Sequence, residues 1–96
     1  MIIKDVIWIK EFSEKLERSH HVSEDEVEEV FATQPPVRRM RRGARKGEDL
    51  YRVVGQTDSG RYLAIFFIYK GQGRALVISG RDADTKELRS YGKRKK

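Results

Sequence analysis

The sequence predicts an α+β domain: an antiparallel sheet of about four strands, two helices ahead of it and a short helix closing the chain. Three observations carry this. Apolar residues recur at helical spacing in the first third and again near the end, β-rich runs parted by glycine-bearing turns fill the second half, and 96 residues suffice for a single core. Ile3 to Lys10 sets Asp5, Ile7 and Ile9 on one parity and Val6, Trp8 and Lys10 on the other, a strand at or near a sheet edge. Phe12 and Leu16 then stand four apart among charged residues, the spacing of a short helix with a solvated outer face. Ser23 followed by Glu26 has capping-box spacing, so a second helix begins there, with Val27, Val30 and Phe31 as its apolar stripe. Glu24, Asp25 and Glu26 fall in its first turn, where the helix dipole favours negative charge. Pro35 and Pro36 end it, because proline has no amide to donate.

Beyond the prolines, Val37 to Arg42 reads as an irregular edge strand and Gly43 to Asp49 as a polar loop. Leu50 to Gln56, Arg61 to Lys70 and Arg74 to Ser79 are β-rich, joined by Thr57-Asp58-Ser59-Gly60 and Gly71-Gln72-Gly73, which are turn compositions. An antiparallel meander follows. Leu63 to Tyr69 is apolar nearly throughout, so the middle strand is expected to be covered at least in part on both faces. Asp84 and Glu87 repeat the cap spacing ahead of Leu88 and Tyr91, with Gly92 as the expected stop. The organisation is one domain over residues 1–92 and a solvated basic tail over 93–96.

Composition removes whole classes of function. With no cysteine there is no disulfide, thiolate nucleophile or Cys-ligated zinc, and two histidines are too few for a His-rich metal site; no metal or cofactor is expected. No apolar run approaches the roughly 20 residues that span a bilayer, so neither a membrane span nor a secretion signal is expected, and a cytoplasmic setting fits. A phosphate-binding glycine loop is missing, since Gly71-Gln72-Gly73-Arg74 leads into a strand, and there is no nucleophile elbow.

Charge is segregated along the chain. Met1 to Gln34 holds 4 basic and 9 acidic residues, Pro35 to Lys96 holds 17 basic and 6 acidic. A basic side of this kind suits a polyanion such as RNA, whose counterions are released on binding, although it also keeps a small protein soluble. Arg38, Arg39, Arg41 and Arg42 crowd around Met40, with Arg45 and Lys46 close behind. In a regular strand Arg39 and Arg41 face one way and Arg38, Met40 and Arg42 the other, so this cluster is either an RNA-binding segment or a charged edge that resists aggregation. Arg52, Arg61, Arg74 and Arg81 lie on or just beyond the meander strands, where a sheet face can hold guanidinium groups in fixed positions; Lys86 follows on the last helix. His20 and His21 carry imidazoles, which can both accept and donate a proton, and they either move protons or simply close the link between two helices. Glu48 is an alternative base or an ordinary loop charge.

The order of these motifs resembles the BrnT family of bacterial type II toxins, relatives of the RelE ribonucleases. The matching stretches are Trp8, the link His20-His21-Val22-Ser23 leading into Glu24 to Phe31, and Glu48-Asp49-Leu50-Tyr51-Arg52-Val53-Val54-Gly55. They continue through Thr57 to Gly60, Leu63 to Phe67 and Val77-Ile78-Ser79-Gly80-Arg81, closing on Glu87 and Tyr91. The resemblance implies a RelE-like α+β domain that cleaves RNA without metal. It implies a small cognate antitoxin of ribbon-helix-helix type that neutralises the toxin and brings the pair to operator DNA. By motif position His20, Arg52 and Arg81 are the implied active residues, with Arg61 beside them; Arg38, Arg39, Arg41, Arg42 and Lys86 are the further RNA-binding candidates, on the strength of their charge. Where the family typically reads Lys-His-Gly-Val, this chain has Ser19-His20-His21-Val22, and Asp82 replaces a basic residue after Arg81. The alternative is a toxin relative that binds RNA or ribosomes without cutting.

Overall fold

The computed structural model describes residues 1–95, with side chains for residues 1–92. The chain runs β1 (Asp5–Ile7), α1 (Lys10–His20), α2 (Glu24–Ala32), β2 (Val37–Arg41), β3 (Leu50–Gln56), β4 (Tyr62–Tyr69), β5 (Arg74–Asp82) and α3 (Thr85–Lys95). The sheet has five strands in the order β1-β5-β4-β3-β2. Strands β3 to β5 form the expected antiparallel meander and β2 is the edge strand on β3, while β1 lies at the other edge and pairs in parallel with β5. The sheet is therefore mixed and one strand larger than the sequence predicts. Alternation along Ile3 to Lys10 shows that a strand is there; it carries no information about which distant strand accepts it or in which direction.

Local chemistry sets the helices. Helix α1 ends in a Schellman turn, the His21 amide donating to the Glu17 carbonyl and the Val22 amide to Leu16, with His21 left-handed at φ 53°. Ser23 and Glu26 form the capping box that begins α2: the Ser23 hydroxyl accepts from the Glu26 amide at 3.1 Å, and the Glu26 carboxylate accepts from the Ser23 amide at 3.0 Å. That backbone bond, aided by Arg61, holds the Glu26 carboxyl below the usual carboxylate range against the opposing effect of burial. Asp84 and Glu87 make the same reciprocal pair at the start of α3. Helix α3 then runs through Gly92, the expected stop, to Lys95. A glycine inside a helix is unfavourable by only about 1 kcal/mol and removes no donor, unlike proline. The side chains of the expected tail, 93–96, lie outside the described residues.

Helices α1 and α2 pack on one face of the sheet, burying Val53, Ile65, Phe67 and Val77 against Leu16, Val27 and Phe31. Two glycines let them approach. A β-carbon on Gly55 would stand 2.8 Å from Val30 Cγ1, and one on Gly80 would stand 3.0 Å from Leu16 Cδ2. Residues of the other parity, such as Arg52 and Val54 on β3, face the opposite side, where α3 covers one end.

Candidate functional site

Strand alternation sends Arg52, flanked by the core-facing Tyr51 and Val53, to the side away from α1 and α2. Arg38 on β2 and Phe66 on β4 are its register partners, and Arg81 on β5 lies opposite Ala64, one step further along the same face. Together with Lys86 and Glu87 from α3 these residues line an open cleft of about 380 Å³. The two arginines named from motif position, drawn from strands separated by β4, thus meet in one concavity.

Glu87 joins them. The residue is only 4% exposed, and its carboxylate accepts from both terminal guanidinium nitrogens of Arg81, at 2.7 and 3.0 Å, and from Arg52 Nη1 at 3.2 Å. Such a two-toothed arginine–carboxylate pair fixes orientation as well as charge. Hydrogen bonding to Glu87 raises the Arg81 guanidinium above its ordinary range, with burial working against the shift. Arg81 also lies over the Phe66 ring, 5.3 Å from its centre. The Arg52 Nε–H is buried and has no hydrogen-bond partner among the described residues, so the guanidinium is held through Nη1 and Glu87. The lining carries four cationic side chains, Arg38, Arg52, Arg81 and Lys86, against Asp84 and Glu87. The cleft therefore favours anions, and Phe66 offers a ring beside the cations.

Other candidates go elsewhere. Arg61 ties the helix link down: its Nε donates to Asp82 at 2.7 Å, its Nη1 to the His21 carbonyl and Glu26, and its Nη2 to the His20 carbonyl at 2.9 Å. The Asp82 hydrogen bond is the main reason its guanidinium is raised above the usual range. The acidic replacement after Arg81 is thereby explained, since Asp82 serves this tether. His20 sits at the end of α1, exposed, and is not among the described residues lining the cleft. Within β2 the simple alternation fails: a bulge between Arg39 and Arg41 puts Arg41 opposite Leu50, on the side that Arg38 shares, while Arg39 turns to Asp49 at 3.5 Å. Arg42 is exposed just beyond the strand, and Glu48 is exposed in the loop before β3.

Glu87 is the residue that sequence reading missed as a site member, because its cap spacing with Asp84 already accounted for it. The available signal was chemical: two arginines inside strands need a carboxylate, and Glu87 is the acid of the closing helix nearest in sequence to Arg81. Among the described residues no group of three His, Asp or Glu side chains is placed to hold a metal ion, and no helix is long and apolar enough to cross a membrane.

Comparison with known proteins agrees with this architecture. No curated protein sequence matches the chain. The crystal structure of the Brucella abortus ribonuclease toxin BrnT superposes with a TM-score of 0.60 at 19% identity, covering 84% of this chain and 97% of that one, a likeness of fold. The family model for the ribonuclease toxin BrnT of type II toxin-antitoxin systems matches residues 8–87, from Trp8 through the buried Glu87. This chain belongs to the BrnT family of ribonuclease toxins of type II toxin-antitoxin systems.

Proposed function

We propose that the chain is an endoribonuclease that works without a metal ion, with the Arg52–Arg81 cleft as its active site. The observation that carries this is the convergence of Arg52 and Arg81 in one cationic concavity beside Phe66. Cleavage of RNA by its own 2′-hydroxyl passes through a phosphorane bearing extra negative charge. Fixed guanidinium groups stabilise that charge more than they stabilise the starting diester. Arg52 and Arg81 hold the phosphate; Arg38 and Lys86 hold the flanking backbone; Phe66 stacks on a base. The Asp84 carboxylate is exposed at the cleft and takes the 2′-hydroxyl proton as the 2′-oxygen bonds to phosphorus. The bond from phosphorus to the 5′-oxygen breaks, and that oxygen takes a proton from solvent, leaving a 2′,3′-cyclic phosphate and a 5′-hydroxyl. His20 and Arg61 serve the helix link in this reading. In the cell the toxin acts in the cytoplasm, and a small antitoxin of ribbon-helix-helix type neutralises it and carries the pair to operator DNA.

The test is end-labelled RNA incubated with purified protein in the presence of EDTA. Fragments ending in cyclic phosphate are expected. The Asp84→Asn variant keeps a good helix cap and is expected to cleave about 10²-fold more slowly. A second reading, binding without turnover, is favoured by one feature, the occupation of both arginines by Glu87. Intact RNA retained in a salt-sensitive complex establishes that reading instead.

A further inference from the structure

On the face that carries the arginines, register aligns Ile7 of β1, Leu76 of β5, Ile68 of β4 and Leu50 of β3 as successive neighbours, with Arg41 at the β2 end. The four aliphatic side chains are half-buried and none is a member of the core cluster. Helix α3 covers the other end of this face, over Arg52 and Val54 and beside Tyr62. At about 4.8 Å per strand step the row from Ile7 to Arg41 is about 19 Å long, the length of about 13 residues of α-helix.

The flanks are cationic. Arg38 and Arg52 lie one pair nearer α3, with Arg81 beyond them. Lys70 and Arg74 lie on the other side, Arg74 opposite Asp5 and folded back on the Lys70 and Gly71 carbonyls. Four aliphatic side chains offer neither a ring for a base nor a donor for a phosphate, so the neighbouring RNA cleft does not account for them. Asp5 is the one acid on the β1 flank, and cations outnumber it around the strip; an apolar strip with a mainly cationic rim fits a protein segment of negative charge.

We propose that this row is the docking strip for the antitoxin, and that the docking segment is acidic and amphipathic, about three to four helical turns long. Its aliphatic residues rest on Ile7, Leu76, Ile68 and Leu50, and its carboxylates face Arg38, Arg52 and Arg41. The inference rests on the toxin-antitoxin reading above and adds the surface and the chemistry of the contact. Because the strip adjoins the cleft through Arg38 and Arg52, antitoxin and RNA exclude one another.

The chain has no cysteine, so single cysteines report coverage cleanly. Maleimide labelling is followed in Leu76→Cys, Ile68→Cys and a control on α1, Ser19→Cys. Each is measured alone and with the antitoxin encoded by the neighbouring reading frame, after thermal melts show that each variant folds. Labelling at positions 76 and 68 is expected to slow by about tenfold or more with antitoxin, to recover as salt is raised, and to stay unchanged at position 19. Unchanged rates at 76 and 68 in a co-eluting complex overturn the proposal. So does equal protection by an RNA oligonucleotide, which assigns the strip to the nucleic acid, or protection that grows with toxin concentration alone, which assigns it to a second copy. Protection by antitoxin without RNA cleavage leaves the docking strip standing and removes the ribonuclease reading. Failure to co-elute at all removes the partner and the strip together.

Discussion

Arg52 and Val53 leave the same strand one residue apart, yet they belong to different kinds of protein. Val53 is 1% exposed among aliphatic and aromatic side chains beneath α1 and α2. Arg52 enters a cleft whose contacts are ionic and whose cover, α3, is tied on by Glu87. The core face is held by dispersion and the hydrophobic effect, which tolerate no gap or intruding atom. The cleft face is held by oriented charge, which fixes positions and leaves a donor unsatisfied. The two-residue period of a strand allows one sheet to carry an apolar core on one side and a cationic cleft on the other.

The comparison is broken most sharply at the arginines. Arg52→Ala and Arg81→Ala are each expected to lower RNA cleavage by about 10²- to 10³-fold, while thermal melts keep the core transition cooperative. Next in size is Glu87→Ala, which leaves two guanidinium groups facing each other without a carboxylate. A loss of about 3 kcal/mol in urea unfolding is expected, so that ionic pinning of α3 also supports the fold.

The core face is probed by Gly55→Ala, whose added methyl meets Val30 across the α2 contact. Destabilisation of about 2 kcal/mol is expected with the cleft chemistry intact; chemical denaturation and RNA cleavage measured on the same preparation separate the two. The smallest effect is a gain. His21→Gly relieves a left-handed residue in the α1 turn, and a rise of about 0.5–1 kcal/mol is expected from the melting midpoint. The Arg61 tether is kept, because Arg61 uses the His21 carbonyl and not its side chain.

What the sequence discloses follows the range of the forces involved. Ser23 with Glu26, and Asp84 with Glu87, are read directly because each cap closes within three residues. The β3 boundaries, Leu50 to Gln56, match because composition and turns act locally. The parallel partner of β1 stays hidden, since pairing across most of the chain leaves no trace in alternation. The bulge near Met40 is hidden for a related reason: one inserted residue reverses the face of Arg41 without changing the composition around it. At the site, Arg52 and Arg81 stand out as charges within strand patterns. Glu87 does not, because a residue read as a cap is no longer sought as the counter-ion of two distant arginines.

The parallel seam between β1 and β5 reaches beyond static geometry. As the chain emerges from the ribosome, Asp5 to Ile7 appear long before their partners Arg74 to Leu76. Arg81 and Glu87 follow later still, so no nascent fragment short of them holds the full arginine cleft. The cleft is thus assembled in an order that withholds its counter-ion, Glu87, until all of its arginines have been made.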